Sequence, residues 1–123
     1  MTGYELIDLV STYLRAWSEP NEPERQKLFA RVWDAKGRYS DPTAQVEGVG
    51  DLLEHVSQFI ARYPGAKLQL DGGVDEHHQC FRFAWRMVLS DGQVKSTGID
   101  FGELSLGGKI QNIVGFFDPL PSK

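Results

Sequence analysis

One cysteine, Cys80, is all the chain carries. No internal disulfide can form, and an intracellular, cytoplasmic protein is expected. No apolar run approaches the ~20 residues of a membrane span, so no membrane partner is expected. Glu5 and Asp8 interrupt the N-terminal segment, which argues against a signal peptide. An excess of positive charge is also lacking. Thirteen Lys and Arg against 17 Asp and Glu leave a net charge of −4, a poor balance for binding nucleic acid. Metal-ligand spacing is missing. His77 and His78 are adjacent, so in a strand they would point to opposite faces. His55, beside Glu54 on a helix, has no partner at chelating spacing. No Rossmann or phosphate-loop pattern occurs, and Gly107-Gly108 reads as a turn. The expectation is a protein without metal or nucleotide cofactor.

What remains is 123 residues, 41% hydrophobic and 24% charged. That fits one domain, 1–123, able to bury roughly two-thirds of its unfolded surface. Thr2-Gly3-Tyr4-Glu5 reads as a capping box, followed by Leu6, Val10, Tyr13, Leu14 and Trp17 at helical spacing. Asn21, Pro23 and Glu24 start a second helix, with Leu28, Phe29, Val32 and Trp33 as its apolar face and Gly37 as its end. Gly48 and Gly50 open a third, striped by Leu52, Leu53, Val56, Phe59, Ile60 and Tyr63 and stopped by Pro64-Gly65. From Ala66 the period changes to two. Lys67–Leu70 alternates, and His77–Leu89 reads as one strand. Phe81, Phe83, Trp85 and Met87 lie on its one face, Cys80, Arg82 and Arg86 on the other. Ser90-Asp91-Gly92 turns into a strand over 93–104, Gly107-Gly108 into one over 109–118, and 119–123 form a short tail. Helices followed by hairpin-linked strands argue for an α+β fold. Strands this long must twist and curl, which leaves a pocket between sheet and helices.

The order resembles the nuclear transport factor 2-like superfamily, and within it the SnoaL-like and ketosteroid isomerase-like proteins. The resemblance is carried by Tyr13 to Trp17, Tyr39-Ser40-Asp41-Pro42, Gly48 with its helix, Gly98-Ile99-Asp100-Phe101, Gly108-Lys109-Ile110 and Phe116-Phe117-Asp118. It implies a cone-shaped, curved antiparallel sheet with three N-terminal helices around a pocket, in a fold whose members are often homodimers. The scaffold hosts many chemistries, so function must be argued from the site.

Ketosteroid isomerases use one Asp as base, and a Tyr with a protonated Asp as the oxyanion hole. By the resemblance, Asp41, before a proline after the second helix, takes the place of the base. Tyr13 on the first helix takes that of the oxyanion Tyr. Asp100 on the penultimate strand takes that of the neutral acid. Each also has a plainer reading. Asp before Pro is a common turn starter. Asp100 sits mid-strand, where Asp is disfavoured, and could pair with Arg82 or Arg86. Tyr13 lies on an apolar stripe, where an amphipathic Tyr packs with its hydroxyl satisfied. His77 shares parity with Phe81 and Phe83 if no bulge intervenes, which would make it a proton-shuttle candidate; otherwise it is a solvated strand end. Cys80 falls on the outer face and is not read as a nucleophile.

Trp17, Trp33, Phe59, Phe83, Trp85, Ile113 and Phe117 come from several elements and fall on inward faces. Those not in the core are expected to line a pocket for a small hydrophobic molecule. Two functions fit. One is a cofactor-free isomerase or cyclase acting on a small hydrophobic carbonyl compound, with Asp41 as base. The other is a non-catalytic binding or dimerisation module. A homodimer through the outer sheet face is expected, because Cys80, Arg82, Ala84, Arg86 and Val88 make that face partly apolar.

Overall fold

The helix starts form as their caps dictate: the Thr2 hydroxyl accepts from the Glu5 N–H at 3.1 Å, and the Asn21 side chain from the Glu24 N–H at 3.0 Å. The computed structural model describes residues 1–122; Lys123, the last residue of the expected tail, lies outside them. The chain runs α1 (Gly3–Ala16), α2 (Glu22–Val32), β1 (Trp33–Asp41), β2 (Ala44–Glu47), α3 (Val49–Arg62), β3 (Lys67–His77), β4 (Cys80–Val88), β5 (Val94–Leu104) and β6 (Ile110–Phe117). The strands form one sheet in the order β2-β1-β6-β5-β4-β3, antiparallel except where β1 runs parallel to β6. Breaks in register occur in β1, in β3, at the start of β5 and at its end. Each break adds twist and bend, so the sheet curves around the helices without closing.

The second helix stops earlier than its stripe suggests. It does not reach Gly37: Trp33 already has extended backbone, and the chain continues as β1. The reason is tertiary. The Trp33 indole folds over Gly37, where a Cβ would stand 2.6 Å from its Nε1. Gly37 therefore lies under a ring and is not a helix cap. The His77–Leu89 segment is likewise two strands. His78 and Gln79 have φ of 50° and 67° and make a two-residue hairpin turn between β3 and β4. β3 itself runs on from Leu70 through an irregularity around Gly72, whose φ is 95°.

The core lies between the inner sheet face and the helices. Val10, Phe29, Leu52, Val56, Ile110 and Ile113 are fully buried there, with Trp33 stacked on Tyr13 at 5.7 Å. On β4 and β5 the packing alternates aromatic with glycine. Gly98 is paired with Trp85 and Gly102 with Phe81, and each ring covers its glycine so closely that a Cβ would clash at 2.3–2.4 Å. Among the described residues no helix is long and apolar enough to cross a membrane.

Candidate active site

β6 lies between β1 and β5, and its pairing sets the site. Asp100 of β5 is opposite Gly115, and Ser40 of β1 is opposite Val114, which brings Asp41 level with Gly115 from the other side. Paired residues share a sheet face, so both carboxylates point inward. Gly115 leaves the space they occupy. A Cβ there would lie 2.7 Å from Asp100 Oδ1 and 3.6 Å from Asp41 Cβ. The two acids thus face each other across a bare Cα, at the wall of a cavity of about 520 Å³.

Their surroundings differ. Asp100 is 6% exposed, and its Oδ1 accepts from the Trp85 indole N–H at 2.9 Å. Burial pushes its pKa up to about 7, the Asp41 charge adds to the rise, and the Trp85 bond opposes it. Near neutral pH Asp100 therefore divides between acid and carboxylate. Asp41 is half-buried at the end of β1. Its Oδ1 accepts from the Thr43 N–H and hydroxyl, both at 2.7 Å, and its Oδ2 accepts from the Tyr39 hydroxyl.

Tyr13 reaches the same place from α1. Its hydroxyl is buried and has no hydrogen-bond partner among the described residues. Burial and then the Asp100 charge hold its pKa well above the usual tyrosine range. The nearby Trp17 N–H eases that rise without making a hydrogen bond, since it too is unpartnered. Tyr39 is raised in the same way, chiefly by burial. Both phenols stay protonated and can donate.

The structure brings Asp41, Asp100 and Tyr13 together with Trp17, Phe59, Trp85 and Phe117 around the cavity. It does not bring the other expected residues there. Trp33, Phe83 and Ile113 belong to the closed core, because the inner sheet face extends past the cavity into a region packed solid with helix side chains. His77 is exposed. The hairpin turn pairs it with Cys80, on the face away from Phe81 and Phe83, so the parity that made it a candidate does not exist. Asp100 does not pair with arginine: Arg82 bonds Asp75 and Arg86 bonds Gln69. Among the described residues no cluster of three His, Cys, Asp or Glu could hold a metal ion.

Tyr39, one of the residues that carry the family resemblance, and His55, which has no partner at chelating spacing, both line the cavity. The Tyr39 ring packs on Trp17 at 5.2 Å and the His55 ring on Trp17 at 5.6 Å. Alternation along β1 sets Tyr39, two positions before Asp41, on the same face. His55 follows Leu52 by three positions on α3, a spacing that already places it beside the apolar stripe.

Solved structures share this fold. A proposed isomerase of the SnoaL-like family from Agrobacterium tumefaciens is 33% identical, with 94% of this chain and 99% of that one covered and a TM-score of 0.88. A protein from Jannaschia, proposed to be a SnoaL-like polyketide cyclase, is 15% identical over 89% of this chain and 85% of that one, with a TM-score of 0.67. A protein with a ketosteroid isomerase-like fold from Catenulispora acidiphila, solved with trimethylamine, is 12% identical over 90% and 85%, with a TM-score of 0.72. At these last two identities the likeness is one of fold. No family model and no curated protein matches the chain.

Proposed function

The chain belongs to the SnoaL-like family, and on that premise we propose that it is a cofactor-free isomerase or cyclase of small hydrophobic carbonyl compounds, with Asp41 as general base. The observation that carries the reading is the meeting of two carboxylates with different surroundings at Gly115. Asp41, half-buried and met by three donors, is ready to take a proton from the carbon beside a carbonyl. Asp100, in the protonated form that burial favours, donates to the oxygen on which charge develops, and Tyr13 is the second donor. An ionised Asp100 would repel that oxygen, so turnover is expected to fall as the pH rises through about 7.

Deuterium uptake next to the carbonyl of a bound naphthyl ketone, followed by NMR in D2O, tests the scheme. Asp41→Asn should slow exchange at least about a hundredfold while sparing binding. Asp100→Asn keeps a donor and should retain part of the rate. The competing reading is a ligand-binding module, favoured by the two bonds from Thr43, which also give Asp41 a local turn-stabilising role. Ketones that bind the wild type without any exchange would establish that reading instead.

A further inference from the structure

Two cations converge on Tyr63 at the exposed end of the cavity. Arg62 Cζ lies 5.5 Å from the Tyr63 ring centroid and Lys95 Nζ 5.6 Å. All three residues line the cavity. Arg62 ends α3, and Tyr63 caps it. Lys95 arrives by a less ordinary route. Ser96, Gly98 and Asp100 alternate on the inner face of β5, so regular pairing would turn Lys95 outward. The ladder instead pairs Ser96 with Met87 and Val94 with Val88, which leaves Lys95 as an extra residue. That bulge re-aims its side chain over Tyr63.

Among the described residues neither cation has a carboxylate within ion-pair distance. The ion pairs among the described residues are Lys27 with Glu24 and Arg82 with Asp75. Asp41 and Asp100 take their hydrogen bonds from Thr43, Tyr39 and Trp85. Charge is therefore separated along the cavity. Buried Asp100 and half-buried Asp41 stand at one end and the two cations at the other, with Trp17, Phe59, Trp85 and Phe117 between them. Five residue steps along β5 divide Lys95 from Asp100, roughly 15 Å.

We infer that this site takes an elongated hydrophobic carbonyl compound ending in a carboxylate, with the carbonyl at Asp100 and the carboxylate between Arg62 and Lys95. The carbonyl end rests on the proposed function. The carboxylate end stands on the two cations alone. Arg62 offers a planar fork of donors to a carboxylate, and Lys95 a mobile point charge. A cationic ligand would meet like charge at Arg62 and Lys95.

The test compares an acetylnaphthyl butyrate, a naphthyl ketone whose ketone and carboxylate chain lie at opposite ends of the ring system, with its methyl ester, reading affinity from tryptophan fluorescence. The wild type should bind the acid about tenfold more tightly than the ester, the sum of two part-exposed charge contacts, and added salt should narrow the gap. The Arg62→Gln/Lys95→Gln double variant should bind both alike, with ester affinity unchanged. Asp41→Asn should keep the preference for the acid, which separates this inference from the base role: loss of exchange bears on Asp41, loss of preference on the mouth. Equal affinities in the wild type, a preference that survives the double variant, tighter binding of an amine analogue, or no binding of either probe would each overturn it.

Discussion

Gly115 is the smallest residue of the site and one of its most constrained. An alanine Cβ there would sit 2.7 Å from Asp100 Oδ1. The carboxyl must then rotate off the Trp85 indole, leaving a buried donor unpaired. Gly115→Ala is expected to cost about 1–3 kcal/mol and to weaken ketone binding. A urea midpoint equal to that of the wild type would show that Asp100 can move aside freely. Asp100 itself links folding to pH. Its pKa rises from the ordinary 3.8 to about 7 on folding, so between those values the native state holds a proton that the unfolded chain releases. Its contribution to stability is complete below about pH 4 and is lost as pH rises through 7, to a total of up to about 4 kcal/mol. Asp100→Asn should abolish that slope and gain on the wild type most above neutrality. Denaturant unfolding of both proteins across the window checks this; parallel curves would mean that Asp100 is ionised throughout.

Among the helices, α2 has the weakest apolar face, and one polar residue ties it down. Arg25 is 4% exposed. Its Nη1 donates to the Glu19 carbonyl at 3.1 Å and its Nη2 to the Ser57 hydroxyl at 3.3 Å, joining α2 to the chain before it and to α3. Its Nε is buried without a partner among the described residues. A charge held by neutral acceptors gains little from burial, whereas its stem fills space. Arg25→Ala is therefore expected to lose about 2–4 kcal/mol through the cavity and the freed carbonyl. Arg25→Met, which keeps the stem, should lose clearly less. If Met proves the worse substitution in denaturant unfolding, the hydrogen bonds and not the packing secure the helix. β1 shows how much one element can matter to the site. It carries Tyr39 and Asp41, and it begins where Trp33 leaves the helix to fold onto Gly37.

At the scale of the molecule, the outer sheet face is the large surface that the helices leave uncovered. Ile99, Phe101 and Phe116 are 37%, 44% and 55% exposed, and the two Phe rings meet edge to face at 6.0 Å. Cys80, Arg82, Ala84 and Arg86 of β4 continue this face, since their β5 partners are Glu103, Phe101, Ile99 and Thr97. Apolar area flanked by arginine suits a protein interface, and we expect a second copy of the chain to cover it. Sedimentation at micromolar concentration should give a dimer, and Phe101→Asp a monomer that still binds ligand in the cavity on the opposite face. A monomeric wild type would rule this out.

The periodicities in the chain, together with the family resemblance, were enough for the α+β class, the helix N-caps, the hairpin at Asp91-Gly92 and the inward set of β4. Local spacing alone decides which residues share a face. The inward direction of Asp100 needed more, since parity supplies two faces but not their sense; the sense is set where the sheet curls onto α1 and α3. The same limit explains Trp33, Phe83 and Ile113. An inward residue joins the core or the cavity according to what packs above it, which no single strand encodes. His77 fell to a turn of two residues without glycine, His78 and Gln79, whose positive φ values the usual turn signals do not announce. Lys95 was invisible for the opposite reason. Alternation assigned it outward, and only the register of β5 against β4 reveals the extra residue that turns it toward the cavity. Composition and period determined the three helices, most of the strands after them and which residues share a face; pairing register and the packing of helices on the curved sheet decided the rest of the elements and which side chains meet.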